Sequence, residues 1–204
     1  MRNLFLSSGG LNERITKLLW KCIGKKPENT KVIFVPSAAV SNDEAREGIL
    51  VCMERLMSMG IPVNNILLYD LALLLSEGYK KTYSAYIDNT PTQFRIMKVE
   101  ELNQYDMIVF CGGNARLLLD EVNRTGFFRP LKEAIENGLI YLGISAGSMI
   151  AAGNFGDGLG YLTNLIMPHA EKGCPCGEIQ GNDPLELSNE QVVWIQGERQ
   201  EIIC

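Results

Sequence analysis

A serine between two glycines, Gly143-Ile144-Ser145-Ala146-Gly147, follows the apolar run Leu139-Ile140-Tyr141-Leu142 and precedes Met149-Ile150-Ala151-Ala152. A strand that turns sharply into a helix is the context in which G-x-S-x-G lifts a serine hydroxyl above a sheet edge. Such a turn strains the serine backbone, and side chains at Gly143 or Gly147 would clash with neighbouring chain. The start of the following helix favours negative charge developing beside the hydroxyl. These features suit a nucleophile, although a tight strand-to-helix turn that merely contains serine fits the same pattern. A second turn, Cys111-Gly112-Gly113-Asn114, also leaves an apolar run and opens a helical pattern. Glycines there let a backbone N–H approach a bound group, as an oxyanion hole requires. A phosphate-cradling turn or a plain loop would read alike.

The chain has one histidine, His169, at the end of Leu165-Ile166-Met167-Pro168. Any serine–histidine mechanism must use it as the base. Of the six cysteines, Cys22 and Cys52 sit in helical patterns and Cys111 at a strand end, and all three read as small buried apolar residues. Cys174-Pro175-Cys176 could hold half a metal site, but no second pair or further histidine exists to complete it. No metal or other cofactor is expected. The thiols, Cys204 included, are expected to be reduced.

The elements that must position these residues alternate. Strand-like runs lie at residues 3–7, 31–35, 65–69, 107–111 and 139–143, and their unbroken apolar character suits strands buried on both faces. Helical patterns span residues 11–23, 42–59, 115–122 and 130–137. Ser41 or Asn42 is placed to cap the second, with Asp43 and Glu44 in its first turn and Gly60 just past its end. Gly138 ends the last. Residues 71–93 read as an irregular excursion, the stretch after His169 as loop-rich, and residues 191–203 as a terminal hairpin. The whole predicts an α/β fold, a mainly parallel sheet with helices on both faces, in a single domain over residues 1–204.

At 204 residues, 46% hydrophobic and 21% charged, the chain can bury a sizeable core. A net charge of −5 argues against a nucleic-acid partner. No run approaches the roughly 20 apolar residues of a membrane span, and the N-terminus turns polar too early for a secretory signal. A cytoplasmic monomer or homodimer acting on small molecules, away from membranes, is expected.

Four motifs occur in order along nearly the whole chain: Phe34-Val35-Pro36-Ser37-Ala38, Gly112-Gly113-Asn114, Gly143-x-Ser145-Ala146-Gly147-Ser148 and Pro168-His169. Together they resemble the dipeptidase E family of serine peptidases, which includes cyanophycinases. The family's fold is similar to that of class I glutamine amidotransferases, a flavodoxin-like three-layer sandwich. The resemblance implies that Ser145 attacks a scissile carbonyl and that His169 takes its proton. The N–H groups of Gly113 and Ala146 would then stabilise the oxyanion, with Asn114 binding a short peptide such as an aspartyl dipeptide. The family usually closes its triad with a carboxylate before the final hairpin. Here that stretch is Leu187-Ser188-Asn189-Glu190, so Glu190 is the expected third member, with Asn189 and Asp157 as alternatives. The arginine-containing helix of the family is missing after His169, leaving Lys172 and Arg116 as candidates for an acidic substrate group. A small-amide or ester hydrolase, or a binding protein with a weakened site, would use the same scaffold.

Overall fold

The structure, a computed structural model, describes residues 1–39, 43–74 and 94–204, residues 43–45 by backbone alone. Ser41, Asn42 and most of the excursion at residues 71–93 lie outside the described residues.

Each apolar run expected to be a strand is one. β1 (Asn3–Ser7), β2 (Val32–Val35), β3 (Ile66–Leu68), β4 (Met107–Phe110) and β5 (Ile140–Ile144) lie parallel in the order β3-β2-β4-β5-β1. All residues of β2 and β4 are buried, which is why these runs carry no polar alternation. The terminal hairpin is β9 (Val192–Gln196) and β10 (Arg199–Ile203), turning at Gly197. β9 joins the free side of β1 antiparallel, and β10 and the short β7 (Gly177–Glu178) extend that edge to eight strands. The loop-rich stretch therefore holds more pairing than its glycines and prolines suggest. A two-stranded parallel ladder, β6 (Ile166–Met167) with β8 (Leu185–Glu186), also crosses it.

The helices are α1 (Glu13–Ile23), α2 (Asp43–Ser58), α3 (Val99–Leu102), α4 (Ala115–Thr125), α5 (Phe128–Glu136) and α6 (Ala146–Ala151). Asn12 caps α1 by accepting the Ile15 N–H at 2.9 Å. Past α2, Gly60 takes a left-handed φ of 92° while the N–H groups of Gly60 and Ile61 return to Met57 and Leu56. That closure makes glycine the fitting residue there. The pleat divides the helices between faces. Val109 and Leu142 line a cavity with α1 and α2. Their neighbours Phe110 and Tyr141 touch Gly147 of α6 on the other side. The fold is thus an α/β sandwich of helices around a mostly parallel sheet. Its functional edge is where β1, β4 and β5 end at their carboxyl termini.

Candidate active site

Ser145 sits between β5 and α6 with φ 49° and ψ −101°, outside the ordinary helix and strand regions. Among the described residues only Ser145 and His169 (φ 64°) are non-glycine residues with positive φ. Such strain persists only where surrounding structure over-determines it, at a cost of order 1–3 kcal/mol each.

The source of that over-determination is visible. A Cβ on Gly143 would stand 2.5 Å from the Gly147 carbonyl carbon, and one on Gly147 would stand 2.6 Å from the Phe110 oxygen. Both glycines are therefore demanded by close backbone approach. The single hydroxyl proton of buried Ser148 is shared between the carbonyls of Ser7 (2.7 Å) and Gly143 (2.9 Å), and the Tyr141 hydroxyl donates to Gly147 O at 2.6 Å. The Ser145 N–H donates to Ser7 O at 2.8 Å. These contacts staple the elbow to β1 and β5.

That hydroxyl meets His169, with Oγ 2.9 Å from Nε2. The other ring nitrogen, Nδ1, lies 2.7 Å from Asn189 Oδ1. An amide oxygen can only accept, so Nδ1 carries the proton and Nε2 is free to accept from Ser145. Ser8 sets the backbone of His169: its Oγ accepts the His169 N–H at 2.7 Å and donates to Leu187 O at 3.0 Å. Gly9 makes room for Asn189, since a Cβ there would lie 2.7 Å from the Asn189 side chain.

The glycine turn after β4 stands opposite. A Cβ on Gly112 would reach within 3.5 Å of Ser145 Cβ. Gly113 has φ 134°, and a Cβ there would lie 2.2 Å from Ala38 O, so no other residue fits. Its N–H has no partner among the described residues. Ala146, the first residue of α6, has no intrahelical acceptor for its own N–H. The motif at residues 34–38 props this turn. Ala38 O accepts the Asn114 N–H at 2.8 Å, and the buried Ser37 hydroxyl donates to Asp70 at 2.7 Å while accepting the Leu71 N–H at 2.8 Å.

The structure brings Ser145, His169 and Asn189 into one hydrogen-bonded row and sets the turns of Gly113 and Ala146 beside it. Several expected residues make other contacts, although Glu190 lines the cavity beside His169 and Asn189. Glu190 is exposed and offers its carbonyl, not its carboxylate, to Asn12 at 3.1 Å. The residue facing the imidazole is Asn189, whose side chain lies over Gly9. Asp157 pairs with Arg116 at 3.2 Å and accepts from Asn123, and the Arg116 hydrogen bond holds its carboxyl below the usual range. Arg116, also paired with Asp120 at 2.6 Å, is committed to that network. Lys172 is exposed in the loop after His169. Asn114 caps α4 through its side-chain oxygen, which accepts the Leu117 N–H at 3.0 Å.

The expectation of six reduced cysteines needs correction. Cys176 and Cys204 form a disulfide, their Cα atoms 6.1 Å apart and 28 residues apart in sequence. β7 pairing on β10 brings the two ends together, a contact no local spacing reveals. Cys22, Cys52 and Cys111 are buried or half-buried as expected. Burial pushes the Cys111 thiol up to about 12, which leaves it inert.

Beside His169 and Asn189 opens a cavity of about 610 Å³ between α1, α2 and the sheet, floored by Val109 and Leu142. Its size suits a small-molecule or short-peptide ligand. Among the described residues no helix is long and apolar enough to cross a membrane.

Residues 86–157, which contain the glycine turn and the serine elbow, match the model of peptidase family S51. A segment of 66 residues is 39% identical to an uncharacterized peptidase of Pasteurella multocida, covering 32% of this chain and 31% of that protein. Another, of 57 residues, is 39% identical to the pyridoxal 5'-phosphate synthase subunit PdxT of Pyrococcus furiosus, covering 28% and 29%. The matched segments thus span about a third of these curated relatives. In fold the whole chain superposes on a peptidase E-type protein of Listeria monocytogenes, with TM-score 0.61, 23% identity and 97% of that chain covered. It also superposes on a peptidase from an acI-B1 actinobacterium, with TM-score 0.62, 17% identity and 87% covered. The fold is that of peptidase E, similar to the class I glutamine amidotransferases. The S51 segment carries both the glycine turn and the serine elbow, and the whole chain has the fold of these peptidases, in keeping with the resemblance to the dipeptidase E family.

Proposed function

We propose that the protein is a serine peptidase that hydrolyses short peptides. The observation that carries this reading is the row Ser145 Oγ–His169 Nε2–Asn189 Oδ1, with spacings of 2.9 and 2.7 Å. In the first half-reaction Ser145 Oγ bonds to the scissile carbonyl carbon and its proton passes to His169 Nε2. The carbonyl oxygen takes negative charge and is met by the N–H groups of Gly113 and Ala146; one such donor contributes about 10²- to 10³-fold in rate. Collapse breaks the C–N bond as the imidazolium returns the proton to the leaving amine. Water, deprotonated by His169, then releases the acyl group and restores Ser145. No cofactor takes part.

Asn189 is the observation behind a second reading. A neutral amide orients the imidazole but stabilises imidazolium less than a carboxylate does, which favours modest turnover or activated substrates such as esters and small amides. A panel of dipeptides, with and without an N-terminal aspartate, and a p-nitrophenyl ester tests both. Peptide cleavage lost in Ser145→Ala and His169→Ala supports the first reading. Ester cleavage alone supports the second, and turnover retained in either variant rejects both.

A further inference from the structure

One buried amide holds the loop that carries Asn189. Gln191, 5% exposed at the entry to β9, accepts on Oε1 the N–H groups of Cys174 (3.2 Å) and Ser188 (3.1 Å). Its Nε2 donates to Cys174 O at 2.6 Å and to Cys204 Sγ at 3.1 Å. Its own N–H closes the turn on Ser188 O at 3.0 Å. Ser188 immediately precedes Asn189, so the amide that grips Ser188 also aims Asn189. Gly173 leaves no slack: a Cβ there would stand 2.1 Å from Gln191 Oε1. The sulfur under Gln191 is half of the Cys176–Cys204 disulfide. An unbroken series of contacts therefore runs from the disulfide through Gln191, Ser188 and Asn189 to His169 Nδ1.

The disulfide is open to exchange. Cys176 is exposed and reachable by a small thiol. Burial pushes the neighbouring Cys174 thiol up, which keeps it protonated and a poor competitor for exchange. Reduction breaks the S–S bond, and two unbonded thiols must separate to van der Waals contact. Gln191 Nε2 rests on Cys204 Sγ, so any shift of that sulfur on reduction is passed to the amide.

We propose that Gln191 is a positioning residue for the Ser145–His169 pair and that the Cys176–Cys204 disulfide fixes its place, so that turnover follows the thiol–disulfide state. The inference rests on Ser145 being the nucleophile. In the oxidising direction the two thiols give two protons and two electrons to a small disulfide such as oxidised glutathione, which departs as two thiols. A dithiol reverses the step through a mixed disulfide.

His169 is the only histidine, so its ring ¹⁵N shifts report the tautomer without interference and without any substrate. In the oxidised protein they should read Nδ1 protonated and Nε2 bare. After dithiothreitol, with reduction verified by intact mass, or in oxidant-treated Gln191→Ala or Cys204→Ser, they should move toward a tautomer mixture. Labelling of Ser145 by a fluorophosphonate should slow in parallel by about 10- to 100-fold, the scale of an ångström-sized misplacement. Cys204→Ser should also lose its response to reductant. Unchanged ring shifts on reduction and in both variants overturn the proposal. Ring shifts that move while Ser145 never labels uphold the positioning role and reject the nucleophile.

Discussion

An amide oxygen faces the imidazole where the dipeptidase E family that the chain resembles usually has a carboxylate, and the difference has a sign. Asn189 fixes the tautomer of His169, but in the proposed mechanism it adds no negative charge to balance the imidazolium that would form as Ser145 attacks. Asn189→Asp is expected to raise the hydrolysis rate, by roughly tenfold or more, while Glu190→Gln leaves it unchanged. Steady-state rates on one dipeptide or ester decide both; a slower Asp variant or a crippled Glu190→Gln would return the role to Glu190. The sequence presents both residues side by side, and charge alone favours Glu190. The choice is made by the turn after Ser188 and by the bare face of Gly9, both tertiary facts. Ser145 and Gly143 were legible because steric need for glycine on either side of a serine leaves a written pattern. Ser8, Ser148 and Gln191 leave none, since a serine or glutamine that braces a site reads like any other.

At the scale of elements, buried strands write themselves as apolar runs, and β1 to β5 all lie where those runs predict. Short two-residue ladders such as β6 with β8 depend on partners far along the chain and leave no run to read. The four-residue α3 shows how side chains sustain an element too short to hold itself. Glu101 accepts the Lys98 N–H at 2.8 Å and pairs with Arg95 at 2.6 Å. Chiefly through that Arg95 hydrogen bond, its carboxyl is held down at about 2, against an ordinary 4.5. A carboxyl depressed on folding adds stability above its unfolded value, and that stability is lost as pH falls through the window from 4.5 toward 2. Glu101→Gln should therefore cost about 2 kcal/mol near neutral pH and almost nothing near pH 2, where wild type has lost the same contribution. Denaturant melts of both proteins at several pH values measure it; a gap independent of pH would contradict the assignment.

Across the whole molecule, the sheet order brings the ends of β5 and β4 together and sets β1 beside them, although Ser7, Gly113 and Ser145 are far apart in sequence. The loops carrying His169 and Asn189 then fold back over β1, pinned by Ser8. Alternation of strands and helices announces such a sheet; the register that unites these residues is set only by packing. In the proposed reaction this assembly makes Ser145 a reactive nucleophile. The most direct test is intact-mass labelling with a fluorophosphonate on wild type, Ser145→Ala and His169→Ala. A single adduct on wild type, mapped to Ser145, absent from Ser145→Ala and strongly slowed in His169→Ala, is the predicted result. An adduct that survives Ser145→Ala, or that forms equally fast without His169, would contradict it.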